Sequence, residues 1–148
     1  MASGCTLILV GPDKSWAGVR RIFTAAGKIV SVKDPVQLLP ACDKIKGGTV
    51  LVIDYDACRS LHARLTGILD EFRRLIPTAA IVIAASRRHS RHVRSLLSLG
   101  INFYVRKPLD PDDLRITLHN AINACAVMVK DVGLMQNMRE LTERIDSI

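Results

Sequence analysis

The stretch Thr49–Asp54, with the sequence TVLVID, decides the fold, because five residues typical of strands are followed at once by a carboxylate. Its side chains do not alternate between apolar and polar, as they would in a strand with one solvated face. Two more runs of this kind are TLILV at Thr6–Val10 and AAIVIAA at residues 79–85. Apolar runs of this length predict strands of a parallel sheet that is covered on both faces.

Apolar residues at helical spacing fill the intervals between these strands. Residues 16–26 follow such a pattern, and so do residues 60–75, where Pro77 ends the predicted helix. The remaining predicted elements are a strand at 29–32, a short helix interrupted by Pro40, a helix over 90–99, a strand at 101–105 and a helix from about residue 110. Five strands alternating with five helices predict an α/β fold: a doubly wound, five-stranded parallel sheet of the flavodoxin-like type with a C-terminal helical extension.

The composition is that of an ordinary globular domain, with 49% hydrophobic and 24% charged residues in a chain of 148 residues. No apolar run approaches the roughly 20 residues that a bilayer requires, and no basic segment precedes the first apolar stretch. We therefore expect a cytoplasmic protein without membrane contact. Its cysteines form no CxxC pair, which favours buried free thiols over a zinc or redox site: Cys5, Cys42, Cys58 and Cys125.

A net charge of +7 suits an acidic partner or nucleic acid. Much of this charge falls in one segment, SRRHSRHVR at residues 86–94, whose arginines we call the basic patch: Arg87, Arg88, Arg91 and Arg94. The patch is predicted either to bind nucleic-acid phosphates, an acidic protein or an anionic nucleotide, or to be a solvated helix face. The solvated face is favoured, because no aromatic residues interleave for base stacking.

In parallel sheets, chemistry collects at the carboxyl ends of the strands. Here that rule selects residues 11–13, Asp54, residues 85–86 and Lys107. The segment GINFYVRKP, residues 100–108, resembles the G-A-x-x-[FY]-x-x-K-P signature of CheY-like receiver domains of bacterial response regulators. Asp34, followed by proline, resembles the family's element after strand two. The likeness covers residues 5 to about 125.

The resemblance implies roles for three residues. Asp54 takes the place of the aspartate that accepts phosphate from a histidine kinase, Lys107 that of the lysine which senses the phosphate, and Tyr104 that of the aromatic switch. A carboxylate that attacks a phosphoryl group needs its charge repulsion cancelled by Mg²⁺ and by a cation. The resemblance thus implies a phosphorelay in a two-component system.

The sequence departs from the family pattern at the metal and hydroxyl positions. Gly11-Pro12 replaces the acidic pair after strand one, Ala85 replaces the switch hydroxyl with Ser86 next to it, and the M-P-x-x-D-G turn after Asp54 is absent. We expect at most weak Mg²⁺ binding and no other cofactor, because Mg²⁺ depends on oxygen ligands and on charge. The predicted metal ligands are Asp13, Asp54 and Asp56, and a fixed Asp54–Lys107 ion pair is predicted in place of efficient phosphorylation.

Beyond residue 125 the chain shows an a/d seam, with apolar residues at alternating steps of four and three: Leu134, Met138, Leu141, Ile145 and Ile148. We expect residues 1–125 to form the receiver domain and residues 126–148 to form a helical, coiled-coil linker to an output domain beyond this chain. The seam predicts a homodimer or continuation into that domain. The alternative is a helix that packs on its own domain.

Three functions follow as expectations. The first is an atypical receiver that acts as a signal-transduction and dimerisation module, is shifted by a partner protein or small ligand, and controls a nucleic-acid-binding output in transcription regulation. The second is a phosphorylation-competent receiver that uses Asp54 and Mg²⁺. Direct nucleic-acid binding through the basic patch is the third. An enzyme is not expected, because no glycine-rich phosphate loop follows strand one and no nucleophile–base pair is recognisable.

Overall fold

The computed structural model of the chain describes residues 5–43, 45, 47–97, 101 and 103–146, with backbone only for residues 97 and 129–146. Its centre is a five-stranded sheet in which every neighbouring pair is parallel and the order is β2-β1-β3-β4-β5. The strands are β1 (Thr6–Val10), β2 (Lys28–Val32), β3 (Thr49–Asp54), β4 (Ala80–Ser86) and β5 (Phe103–Lys107). The predicted fold class is confirmed.

Helices cover both faces of this sheet, as the two-sided apolar strands require. They are α1 (Arg20–Ala26), α2 (Leu38–Cys42), α3 (Tyr55–Cys58), α4 (His62–Leu75), α5 (Ser90–Leu97) and α6 (Pro111–Asp146). Alternate residues of β1, β3 and β4 pack against α2, α4 and α5, where Leu65, Leu69 and Phe72 are buried. The other face packs against α1 and α6 through Phe23 and Leu114. All four cysteines are buried and free, as expected.

The first predicted helix is divided. Trp16 lies in a 3-10 turn (Asp13–Trp16), and α1 begins only at Arg20. Gly18 separates the two with φ 84°, a left-handed conformation that glycine adopts without steric cost. Trp16 is nevertheless buried and meets Phe23 edge to face, with ring centroids 5.5 Å apart. The apolar periodicity therefore identified the buried residues correctly but not the break.

Two other helix predictions also need correction. Pro40 does not interrupt α2, because it is the third residue of that helix, where a missing N–H costs no intrahelical hydrogen bond. The helix expected from about residue 60 is preceded by α3 and by a 3-10 turn, Arg59–Leu61. Asp54 begins this extra helix by accepting a hydrogen bond from the Ala57 amide at 3.4 Å. Side-chain capping of this kind has no apolar periodicity and escapes a pattern search.

The last helix, α6, runs for 36 residues without a break. Its first part packs on the sheet through Leu114, Leu118, Ala121 and Cys125. At a rise of about 1.5 Å per residue, the remaining turns extend roughly 30 Å further. The side chains of Leu134, Met138, Leu141 and Ile145 and the whole of Ile148 lie outside the described residues, so the seam and the domain boundary at residue 125 stay predictions. Among the described helices, none is long and apolar enough to cross a membrane.

Candidate functional site

A buried ion pair lies at the carboxyl edge of the sheet. Asp54 ends β3 and is only 2% exposed, while Lys107 ends β5. The Lys107 Nζ atom lies 2.6 Å from Asp54 Oδ1. A carboxylate at this depth requires a cation or several donors, because burial penalises an unpaired charge. The structure thus brings together two residues that the sequence placed at the carboxyl ends of strands, across the width of β4.

Asp56 is a second carboxylate in the same cluster, positioned by the first turn of α3. It accepts hydrogen bonds from the Ser86 amide at 3.1 and 3.2 Å, from Ser86 Oγ at 3.0 Å and from His89 Nδ1 at 2.5 Å. The Lys107 Nζ atom lies 3.6 Å from Asp56 Oδ2, the oxygen that His89 does not contact. Burial alone would raise the pKa of Asp56, but the hydrogen bonds from His89 and Ser86 and the charge of Lys107 outweigh it and hold this pKa below its usual value.

His89 belongs to this site although it stands in the basic run of the sequence. It is 8% exposed and ends a 3-10 turn, Arg87–His89, that follows β4. Its Nδ1 atom donates to Asp56, and its Nε2 atom lies 3.3 Å from the Arg59 guanidinium, which can only donate. This geometry assigns Nδ1 as the donor and Nε2 as the acceptor of the ring.

Sequence reasoning did not assign His89 or Arg59 to the site. The contact that joins His89 to Asp56 spans 33 residues of chain. One local signal was available, because Ser86 and His89 are separated by a single turn after a buried strand and therefore project in the same direction. That spacing alone does not identify the carboxylate that they meet.

An aromatic and histidine cluster extends the site toward α4 and α5. The Tyr55 hydroxyl lies 2.8 Å from His62 Nδ1, and the Tyr55 ring stacks on His92 with centroids 6.3 Å apart. His62 and His92 are themselves 5.6 Å apart. Burial, with the nearby charge of Asp56, raises the pKa of Tyr55. Tyr55 therefore remains a neutral hydrogen-bonding group that joins α3 to both helices.

The predicted switch residues occupy three different environments. Ala85 is fully buried among the apolar side chains under α5. Ser86 instead directs its hydroxyl to Asp56, in what we call the charged cluster: Asp54, Asp56, Ser86, His89 and Lys107. Tyr104 is 38% exposed, and its hydroxyl donates to the Ala85 carbonyl at 3.2 Å. The backbone of β4 thus connects Tyr104 to the cluster. A switching role for these residues remains a prediction.

The predicted metal ligands are not assembled into a metal site. Asp13 is exposed in its turn, while Asp54 and Asp56 are already occupied by lysine, serine and histidine donors. Within the described residues, no group of three histidine, cysteine or acidic side chains is placed to hold a metal ion. Gly11 stands at one of the positions where the family pattern has an acidic residue. A side chain is disfavoured there, because φ is 144° and a Cβ would lie 3.0 Å from the Cβ of Asp54. The donor set does not fit Mg²⁺.

The basic patch lies on the outside of the same region. All four of its arginines are exposed. In the part of the chain that the structure describes, none of them forms an ion pair. The patch therefore leaves its charge available to solvent or to a ligand, while the neighbouring His89 turns inward.

Comparisons with solved structures give the fold independently. The response regulator receiver domain protein from Clostridium thermocellum matches with a TM-score of 0.66 and 18% identity, over 84% of this chain and 98% of that protein. NtrX from Brucella abortus matches with a TM-score of 0.70 and 19% identity, over 98% of this chain but 35% of NtrX. A protein from Rhodopirellula baltica described as adenylate cyclase gives a TM-score of 0.73 and 14% identity, over 88% of this chain and 96% of that protein.

The sequence itself matches no protein-family model and no curated protein. Identities below one fifth to the solved structures carry information on fold alone, since one fold hosts many functions. The sheet order, the strand-end placement of Asp54 and Lys107 and these structural matches agree with one another. The chain has the fold of a response-regulator receiver domain.

Proposed function

We propose that this chain is an atypical receiver domain, a cytoplasmic signal-transduction module whose state is set by a binding partner rather than by phosphorylation of Asp54. The observation that supports the proposal most strongly is the charged cluster itself. Both of its carboxylates already have partners, Lys107 for Asp54 and the Ser86–His89 turn for Asp56. No covalent step is part of this function, and we expect no catalytic activity from the chain.

Electrostatics explains why such a cluster resists Mg²⁺. A hard divalent cation requires several oxygen ligands and uncompensated negative charge. Here a lysine ammonium lies within 4 Å of both carboxylates, and one oxygen of Asp56 carries the His89 proton donor. An incoming cation would have to displace Lys107 from a buried partner and break hydrogen bonds to Asp56. Both costs oppose binding at millimolar Mg²⁺.

One observation favours the alternative, a phosphorylation-competent receiver in which Asp54 accepts phosphate from a histidine kinase with the help of Mg²⁺. The Asp54 carboxylate and the Lys107 ammonium retain the arrangement in which a lysine would pair with phosphoryl oxygens. The two proposals differ in whether the charged cluster can exchange its internal partners for Mg²⁺ and phosphate.

Titration with beryllofluoride and Mg²⁺ separates them. Trp16 is the only tryptophan of the chain and packs near Gly11, close to Asp54, so its fluorescence reports on the cluster. We expect no saturable change in the wild type, in Asp54→Asn or in the matched exposed control Asp43→Asn. A saturable change in the wild type and in Asp43→Asn that is lost in Asp54→Asn would establish the alternative.

The proposal includes partners. We propose that the helix beyond residue 125 forms a homodimer and leads to a nucleic-acid-binding output domain in transcription regulation, and that a partner protein or histidine kinase provides the input. Support comes from the seam pattern and from the unbroken course of α6 to Asp146. A partner can change the state of the domain only by binding its two conformations with different affinity.

A further inference from the structure

A cavity of about 330 Å³ lies between α5 and β5, outside the charged cluster. Its lining is Arg87, Ser90, Val93, Arg94, Tyr104 and Arg106. Three guanidinium groups therefore meet in one concave site, from the turn Arg87–His89, from α5 and from β5. The sequence pattern revealed two of them as part of the basic patch, but Arg106 joins only through the pairing of β5 with β4, where it lies opposite Ala85.

These three cations have no acidic partner in the described part of the chain. Among the described residues, the side chains of Arg87, Arg94 and Arg106 form no ion pair and no hydrogen bond. Asp113 lines a second cavity, which shares Tyr104 and Arg106 with this one. Like charges gathered without compensation repel one another, so an anion with more than one charge would be stabilised here.

The remaining walls indicate what kind of anion fits. Guanidinium groups form paired hydrogen bonds with phosphate oxygens. Tyr104 and Val93 add an aromatic ring and an apolar side chain, and Ser90 adds a hydroxyl. The volume falls at the small end of ligand pockets, which span about 300–1,000 Å³. We propose that this cavity binds a nucleoside phosphate of mononucleotide size, with its phosphates on the arginines and its base on the Tyr104 ring.

The cavity does not include either residue of the Asp54–Lys107 ion pair. It does contact Tyr104, whose hydroxyl is held by the Ala85 carbonyl next to Ser86. A ligand stacked on the Tyr104 ring therefore contacts a residue that is hydrogen-bonded to Ala85, and Ala85 directly precedes Ser86 of the charged cluster.

Isothermal titration calorimetry of the full chain with ADP and GDP tests the proposal, with pyrophosphate and adenosine as partial ligands. We expect saturable binding of at least one nucleotide, weaker binding of pyrophosphate and no binding of adenosine. Arg94→Gln should weaken nucleotide binding about tenfold or more, because charge-assisted hydrogen bonds are lost. Arg91→Gln is the matched control, since it removes an exposed arginine of the same helix that does not line the cavity.

A second pair of variants examines the aromatic wall. Tyr104→Phe should keep the nucleotide affinity within about threefold, whereas Tyr104→Ala should reduce it about fivefold or more, the effect of losing a stacking surface. Circular dichroism verifies that each variant is folded. Absence of saturable nucleotide binding overturns the proposal, as do equal losses in Arg94→Gln and Arg91→Gln. Tighter binding of single-stranded RNA that falls equally in both arginine variants would identify a nucleic-acid surface instead.

Discussion

Removing the cation of the buried ion pair gives the most direct measure of the charged cluster. In Lys107→Met, the Asp54 carboxylate, which is 2% exposed, keeps one protein donor among the described residues, the Ala57 amide at 3.4 Å. Loss of one partner from a fully buried pair costs about 3–5 kcal/mol of unfolding free energy. Because the Lys107 side chain is 22% exposed, solvent screens part of the interaction, and we expect a loss of about 2–3 kcal/mol.

Urea denaturation at pH 7, followed by Trp16 fluorescence and far-ultraviolet circular dichroism, measures this loss. The matched control is Lys33→Met, an exposed lysine after β2, which should change stability by less than about 0.5 kcal/mol. Asp54→Asn should cost less than Lys107→Met, because the freed ammonium can reach water and still lies 3.6 Å from Asp56.

The double variant completes a thermodynamic cycle. With Asn at position 54 there is no buried charge to abandon, so adding Lys107→Met to it should cost little, and the two changes should be non-additive by about 1–2 kcal/mol. Additive effects, or a loss in Lys107→Met no larger than in Lys33→Met, would refute the claim that the ion pair stabilises this edge of the sheet.

Three further predictions concern the cluster and the C-terminal helix. Folding lowers the pKa of Asp56, so this carboxylate stabilises the folded state fully above its unfolded pKa of about 3.8. That stabilisation disappears as pH falls through the folded pKa. In urea titrations from pH 7 to pH 3, the unfolding free energy of Asp56→Asn should therefore fall less than that of the wild type. Gly11→Asp should lower the unfolding free energy by about 1–3 kcal/mol and reduce the melting temperature. The reason is that φ of residue 11 is 144° and the new Cβ would lie 3.0 Å from the Cβ of Asp54. An unchanged melting temperature would contradict this strain. Sedimentation velocity should show dimers for the wild type and for Gln136→Asp, and monomers for Leu141→Asp, while a monomeric wild type would exclude the seam.

The fold could be predicted because its determinants are local. Apolar runs such as Thr6–Val10 and Thr49–Asp54 have the composition of strands buried on both faces, and the structure places them at the centre of the sheet. The errors lie where a single residue overrides the pattern. Gly18 takes a left-handed conformation and breaks the first helix, and the Asp54 side chain caps a helix, Tyr55–Cys58, that the sequence pattern did not predict.

The candidate site could be predicted only in part, for a related reason. Strand ends in a parallel sheet must meet at one edge, so the proximity of Asp54 and Lys107 follows from the order of elements. The partner of Asp56 does not follow from it, because His89 approaches through the turn after β4, and Arg59, which contacts His89, lies in the turn after α3. Arg106 illustrates the same limit, since the register of β5 decides that it lines the cavity beside Arg87 and Arg94.

The charges of the cluster also explain why its two carboxylates are not equivalent. Lys107 lies 2.6 Å from Asp54 and 3.6 Å from Asp56, so one ammonium serves both. Asp56 has serine and histidine donors as well, whereas the most buried carboxylate, Asp54, depends on Lys107 and one amide. Any ligand that draws Lys107 away therefore destabilises Asp54 first. The lysine, rather than either carboxylate, is the group whose movement would couple this edge of the sheet to a bound partner.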